Sequence, residues 1–320
     1  MKKILITGGS GFLGTNLVEH YLNKNFDVLN LDLNPPRNSE QLKFWKKVDL
    51  LDKDNLSKSI KIFRPDIVFH MAARTDLDGE TLSDYSQNFI GTENLINALN
   101  KTDSVRFTVF ASSMLVCKLG YLPNGEEDYC PDTIYGESKV RSEQLIRAAE
   151  KKFKWIIVRP TSIWGPWFDR PYKDFFTTIQ NGFYFHIKNS KIKRSYGFVK
   201  NTVFQLESLE TSNLDVINGK TAYLADYQPI ELREWANLIQ ENLELRPIRE
   251  LPILIFKILA IFGDFLKIFG IKNPPLTSFR LKNMQTEMIH DTSILKSTCP
   301  KLPYSHSEGV QITCNWLNNP

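Results

Sequence analysis

A chain of 320 residues is long enough for one large domain or two modest ones, and its 42% apolar and 24% charged residues are average for a globular protein. A formal net charge of +4 is far from a nucleic-acid-binding composition, though it mildly favours anionic ligands. The four cysteines, Cys117, Cys130, Cys299 and Cys314, are scattered without metal-ligand spacing, so no metal site is expected and the thiols suit a reducing compartment.

The first predicted strand, "KILITGG" at 3–9, begins almost at Met1, which leaves no room for a secretory signal and makes the cytoplasm the expected location. It runs into the helix predicted over 12–25 through "TGGSGFLG", which supplies Gly8, Gly11 and Gly14. Glycines between a strand and a helix let the backbone turn tightly and approach a pyrophosphate, with the helix amino terminus facing the anion. The triplet alone is a weak signal; its place between an apolar strand and an amphipathic helix makes it a strong one. The second strand, 27–33, ends near Asp32, about the offset at which a carboxylate accepts hydrogen bonds from an adenosine ribose. A carboxylate there repels a 2'-phosphate, so NAD is expected rather than NADP; Arg37 nearby softens that preference.

Further along come a strand at 65–73 ("PDIVFHMAA"), a helix over 84–101, a strand at 106–113 ("RFTVFASS"), a helix opening at Tyr135 and a strand at 155–162 ("WIIVRPTS"). Short β-rich runs alternating with helices predict an α/β fold, a doubly wound parallel sheet of Rossmann type. After residue 165 the alternation weakens, although 221–226 ("TAYLAD") reads as a strand returning to the sheet and 231–243 as a helix. The expected division is a dinucleotide-binding domain over 1–165 and a smaller, mostly substrate-binding region over 166–320. His70 sits on a core strand and reads as a packed histidine.

These motifs occur in the order and spacing of one family. "TGGSGFLG", "HMAA" at 70–73, "NFIGTENL" at 88–95, "ASS" at 111–113, "YGESK" at 135–139 and "RPTSIWGP" at 159–166 resemble the extended short-chain dehydrogenase/reductases. Within that family the chain is most similar to the sugar-nucleotide epimerase/dehydratase branch, and "KRSYGFVKN" at 193–201 and 222–239 carry the likeness towards the carboxy end. The resemblance implies a catalytic set of Ser113, Tyr135 and Lys139. Hydride removal from an alcohol needs a base for the hydroxyl proton, and a free phenol with a pKa of about 10 is too weakly ionised at neutral pH. Lys139 lies one helical turn from Tyr135, and a neighbouring ammonium favours phenolate. The likeness further implies cofactor contacts at Phe12, Leu13, Asp49, Leu50, Ala72, Ala73, Asn88, Pro160 and Thr161, in addition to Gly8, Gly11, Gly14, Asp32, Tyr135 and Lys139. Arg194 and Arg280 are expected at the nucleotide and diphosphate of the substrate, and a homodimer is usual for the family.

Several positions depart from the pattern. Met114 follows Ser113 where dehydratases of this branch place an acidic pair, so dehydration is not expected. Cys117 and Trp164 stand where tyrosines are usual and are expected to alter the walls around the sugar; Asn201 replaces a common aspartate. The apolar run 251–270 carries Lys257, Asp264 and Lys267 on one helical face, which suits an amphipathic helix rather than a membrane span. It is expected to pack on its own domain, as a cap of the substrate lobe, or on a partner subunit, with peripheral membrane contact as the alternative. The expected activity is an NAD-dependent epimerase of a nucleotide-linked sugar, oxidising it transiently, at C4, and returning the hydride. The alternatives are an NAD(P)H-dependent 4-keto-sugar reductase, a 3β-hydroxysteroid-dehydrogenase-like alcohol dehydrogenase and a non-catalytic dinucleotide-binding regulator.

Overall fold

The apolar runs of the first half become strands buried on both faces, which is what a parallel sheet covered by helices requires. In a computed structural model that describes residues 2–271, 274 and 276–318, they are β1 (Lys3–Thr7), β2 (Asp27–Asp32), β4 (Ile67–His70), β5 (Phe107–Ala111) and β6 (Lys154–Pro160), with the polar and mostly exposed β3 (Trp45–Lys47) as an edge strand. Between them run α1 (Phe12–Asn23), α2 (Lys53–Phe63), α3 (Ser86–Asn100) and α4 (Ile134–Ala148). After β6 come β7 (Ser162–Trp164), α5 (Tyr172–Gln180), β8 (His186–Ile187), β9 (Lys193–Arg194), β10 (Tyr196–Phe198), α6 (Val199–Thr211), α7 (Leu214–Ile217) and β11 (Thr221–Leu224). The chain finishes with β12 (Ile230–Glu231), α8 (Leu232–Asn242), β13 (Glu250–Leu251), α9 (Ile253–Ile268), α10 (Ser278–Met284), α11 (Ser293–Thr298) and α12 (His306–Asn318).

Seven strands form one parallel sheet in the order β11-β6-β5-β4-β1-β2-β3. Alternation along β1 sends Ile4 and Ile6 to one face, with Leu17 and Val18 of α1 and Leu206 of α6, and Leu5 to the other, with Leu56 of α2 and Leu95 of α3. The strand order reverses direction at β1, and in open α/β sheets ligands bind beyond the carboxyl ends of strands at such a switch point. β11 pairs parallel with β6, Thr221 opposite Ile157, so part of the carboxy-terminal half is built into the main sheet.

The remaining carboxy-terminal elements form a lobe beside the cleft. Its core is aromatic: Trp164, Phe176, Phe198 and Trp235 are almost wholly buried, with Trp164 and Trp235 ring centroids 5.3 Å apart. Trp164 is therefore not a wall around a sugar but a core residue, because β7 turns its side chain into this cluster. Asn201 is buried as a clamp, donating to Asp226 and to the Tyr304 carbonyl and accepting from the Tyr304 amide.

The expectation for 251–270 is met in part. α9 is a helix packed on its own domain through Phe256, Ala260 and Gly263, but most of its apolar residues face outward. Periodicity reveals that a helix has two unlike faces; it does not say which of them the protein covers.

Candidate active site

The turn between β1 and α1 is built by close approaches. Gly8 has φ +73°, and a Cβ there would lie 2.5 Å from the Ala72 backbone; one on Gly14 would lie 2.1 Å from the Gly8 carbonyl oxygen. Gly11 is the N-cap of α1, with no side-chain cap and no acid in the first turn. The first amides of α1 thus lack protein acceptors, the arrangement of an anion site at a helix amino terminus.

That turn forms one end of a cleft of about 650 Å³, the size of a cofactor or ligand site. Of the positions singled out in the sequence, Gly8, Gly11, Phe12, Leu13, Gly14, Asp32, Asp49, Leu50, Ala72, Ala73, Ser113, Tyr135, Lys139, Pro160 and Thr161 all line it. Asp32 closes β2, its carboxylate accepting from the Ser10 amide at 3.1 Å and the Asn34 amide at 2.9 Å. Arg37 is committed elsewhere: it donates to the carbonyls of Ser10 (3.3 Å) and Trp167 (2.7 Å) and pairs with Asp169 at 2.5 Å. It thereby ties the β2 end to the segment before α5 rather than projecting a free cation.

Ser113, Tyr135 and Lys139 meet at the other end. Thr133 caps α4 by accepting from the Gly136 amide at 3.0 Å, which starts the helix one residue before Tyr135. Burial pushes the Tyr135 phenol up to about 12, while a hydrogen bond with Ser113 pulls the other way. Lys139 is 3% exposed and donates to the Ala111 carbonyl at 2.9 Å; burial brings its ammonium down to about 8, with Glu143 opposing. Tyr135 and Lys139 are both buried residues of α4, one helical turn apart. His70 is packed one layer beneath, one ring nitrogen 2.7 Å from the Thr7 hydroxyl and the other 2.9 Å from that of Thr92, and burial drives it down to about 3.

A buried ion pair fixes this end. Arg159 donates to both oxygens of Glu143, at 2.8 and 2.7 Å, joining β6 to α4 beside Lys139, and Tyr129 donates to the same carboxylate. A bidentate pair holds its partners in one geometry, so Pro160 and Thr161 are positioned against α4.

Three expected contacts are not brought to the cleft. Asn88 lies behind its wall, accepting from the Arg74 amide and donating to Ser138 at 2.9 Å, so it positions the wall and α4. Arg194 is turned into the lobe, where it donates to Asn283 of α10 at 2.5 Å and packs 5.9 Å from the Tyr196 ring. Arg280 donates to the Pro274 carbonyl at 2.8 Å. Cys117, a buried free thiol whose backbone forms an isolated β-bridge with that of Cys130, does not line the cleft. Conversely, the cleft is lined by Arg74, Gln87 and the stretch 168–172, which the sequence reading missed. Their adjacency to "HMAA", Asn88 and "RPTSIWGP" was the available signal.

A seven-stranded parallel sheet carrying an uncapped glycine turn at its switch point defines a Rossmann-type dinucleotide-binding protein. The chain matches the NAD dependent epimerase/dehydratase family over residues 4–203 and is a member of that family. It is 28% identical to the human sterol-4-alpha-carboxylate 3-dehydrogenase, decarboxylating, over 72% of this chain and 63% of the human enzyme, so it spans less than two thirds of that relative. It is 24% identical to the Escherichia coli O157:H7 N-acetyl-alpha-D-glucosaminyl-diphospho-ditrans,octacis-undecaprenol 4-epimerase, over 98% of this chain and 94% of that protein. The fold is similar to that of UDP-glucose 4-epimerase from Thermotoga maritima, with a TM-score of 0.75, 18% identity, and coverage of 99% of this chain and 98% of that one.

Proposed function

We propose that this protein is an NAD-dependent 4-epimerase of a sugar carried on a diphosphate, with Ser113, Tyr135 and Lys139 as its catalytic set. The observation that carries the reading is the convergence of these three residues in one cleft with the glycine turn, with no carboxylate among the described residues lining the cleft beside them; Glu143 lies behind the wall, engaged by Arg159. The acids lining the cleft, among the described residues, are Asp32, Asp49 and Asp169, and none lies at the Tyr135 end. Dehydration needs an acid and a base for eliminating water, so the reading favours epimerisation over the dehydratase chemistry found elsewhere in the family.

The residues suited to hold NAD are the α1 amino terminus for the pyrophosphate, Asp32 for the adenosine ribose and Lys139 for the nicotinamide ribose. NAD is favoured over NADP because Asp32 repels a 2'-phosphate and Arg37 is already paired with Asp169. Bound NAD supplies the hydride acceptor and a positively charged ring, which favours phenolate and offsets the burial that raises Tyr135. Tyr135 takes the proton of the C4 hydroxyl as that carbon is oxidised to a ketone, and returns it as the carbon is reduced on its other face. Ser113 hydrogen-bonds the same oxygen throughout. Lys139, protonated below about 8, keeps a cation near the phenolate.

The carrier is either a nucleotide or a lipid. The nucleotide was the expectation from the motifs. A polyprenol diphosphate is favoured by the relative matched over 98% of this chain, whose name specifies such a substrate, together with the apolar face of α9. Product chromatography with uridine-diphosphate sugars and polyprenol-diphosphate sugars, with and without added NADH, tests the reading. Conversion to the C4 epimer without added cofactor is expected. Turnover only with stoichiometric NADH or NADPH would instead identify a reductase.

A further inference from the structure

α9 presents its apolar side the wrong way round for a helix packed on its own protein. Its contact stripe is narrow, Phe256, Ala260 and Gly263, and it is tight: a Cβ on Gly263 would lie 1.7 Å from the Leu276 carbonyl oxygen. That close approach fixes which face is turned out. Leu254, Ile258, Ile261, Phe262, Phe265 and Ile268 recur at offsets of four, seven, eight, eleven and fourteen, so they form one continuous face. They are 64%, 59%, 66%, 59%, 55% and 80% exposed. Singly scattered exposed apolar residues need no explanation, but a contiguous patch of this kind marks an interaction surface.

We infer that α9 is an in-plane membrane-docking helix, its outward face seated at the boundary between headgroups and acyl chains of a bilayer containing anionic lipid. Charge fits that occupant. Lys257 is exposed at the margin of the patch, next to Ile261 and Ile268 around the helix, where its long cationic side chain reaches headgroups while its stem stays among apolar groups. The helix has one acid, Asp264, and it is folded inward onto the Ser278 amide at 3.2 and 3.3 Å, away from the membrane side. Length fits as well. Sixteen residues make a rod of about 24 Å, and among the described residues no helix is long and apolar enough to cross a membrane.

A second copy of the chain is the competing occupant, and the shape of the face argues against it. With Ile255 and Leu259, which are also exposed, the outward apolar arc at about 100° per residue covers roughly half the circumference of α9, wider than the seam two packed helices share. Phe279 on α10, 58% exposed, is a further apolar side chain in solvent. α10 also provides Asn283, which holds Arg194 in the lobe, so docking through α9 would set the substrate lobe directly on the bilayer. This inference does not depend on the proposed reaction, because its readout is binding to lipid.

The test is flotation of the full chain with phosphatidylcholine vesicles, with and without phosphatidylglycerol. The wild type is expected to float with the anionic vesicles. Phe262→Glu with Phe265→Glu should cut the bound fraction by about tenfold or more. Lys257→Glu, which leaves the contact stripe untouched, should cut it several-fold on anionic vesicles. Far-ultraviolet circular dichroism of both variants should match the wild type. Three results would overturn the inference: no flotation of the wild type, unaltered flotation of both variants, or a lipid-free dimer in sedimentation that the phenylalanine variant converts to a monomer.

Discussion

The cleft and the α9 surface break the usual rule of burial in opposite directions. At the cleft, Lys139, Arg159, Glu143 and His70 are 3%, 1%, 0% and 3% exposed, and each has a hydrogen-bonding partner. On α9, isoleucine and phenylalanine stand in solvent. Buried charges cost several kcal/mol unless paired and hydrogen-bonded, and exposed apolar patches forgo about 25 cal/mol per Å². Neither arrangement is what stability alone would select. On the proposed reading, the polar groups at and behind the cleft wall hold Lys139 for chemistry on a bound molecule, whereas the apolar groups of α9 meet a non-aqueous surface.

Two glycines allow that contrast to be broken most severely. Gly14→Ala places a Cβ against the Gly8 carbonyl, and Gly263→Ala places one against the Leu276 carbonyl. Alanine normally favours a helix over glycine by about 1 kcal/mol, so a loss of about 2–3 kcal/mol in denaturant unfolding would identify the clash in each case. The two should then diverge. Gly14→Ala is expected to abolish dinucleotide binding measured by calorimetry, while Gly263→Ala leaves it within about twofold.

Lys139→Met comes next, with kcat/KM expected to fall about 10²–10³-fold, close to 3–4 kcal/mol. Steady-state kinetics with cofactor content measured alongside checks this; a loss explained wholly by lost cofactor would reduce Lys139 to a binding residue. A smaller effect is expected at Glu207, which accepts from His20 of α1 at 2.9 Å and pairs with Lys24, binding α1 to α6. The His20 bond and the Lys24 cation hold this carboxyl down to about 2. Because its folded value is depressed, its contribution is present above 4.5 and is lost as pH falls through about 2. Glu207→Gln should cost about 1 kcal/mol near neutral pH, measured by urea unfolding, and almost nothing at the acid end of that window. The smallest effect belongs to the outward face of α9, where Ile261→Ser should change stability by less than about 0.5 kcal/mol.

Much of the cleft was legible because its parts are short motifs whose geometry is local. A strand, a glycine turn and a helix amino terminus specify their own arrangement, and Tyr135 and Lys139 share a helix face by spacing alone. Reading failed where a side chain's direction depends on distant packing. Arg194 turns to Asn283, 89 positions away in sequence, and Trp164 joins Trp235 in the lobe core. Asn88 lies within the right motif but one layer back, since its amide is engaged by Arg74 and Ser138. For α9, spacing defined a charged and an apolar side, but Gly263 and the backbone at Leu276 determine which side the protein covers.

The most direct measurement replaces one oxygen atom. Tyr135→Phe, assayed for C4 epimerisation with bound NAD quantified in the same preparation, should retain the dinucleotide and lose turnover by about 10³-fold or more. Retained turnover with a full complement of cofactor would contradict the account, because the proton would then have a different acceptor.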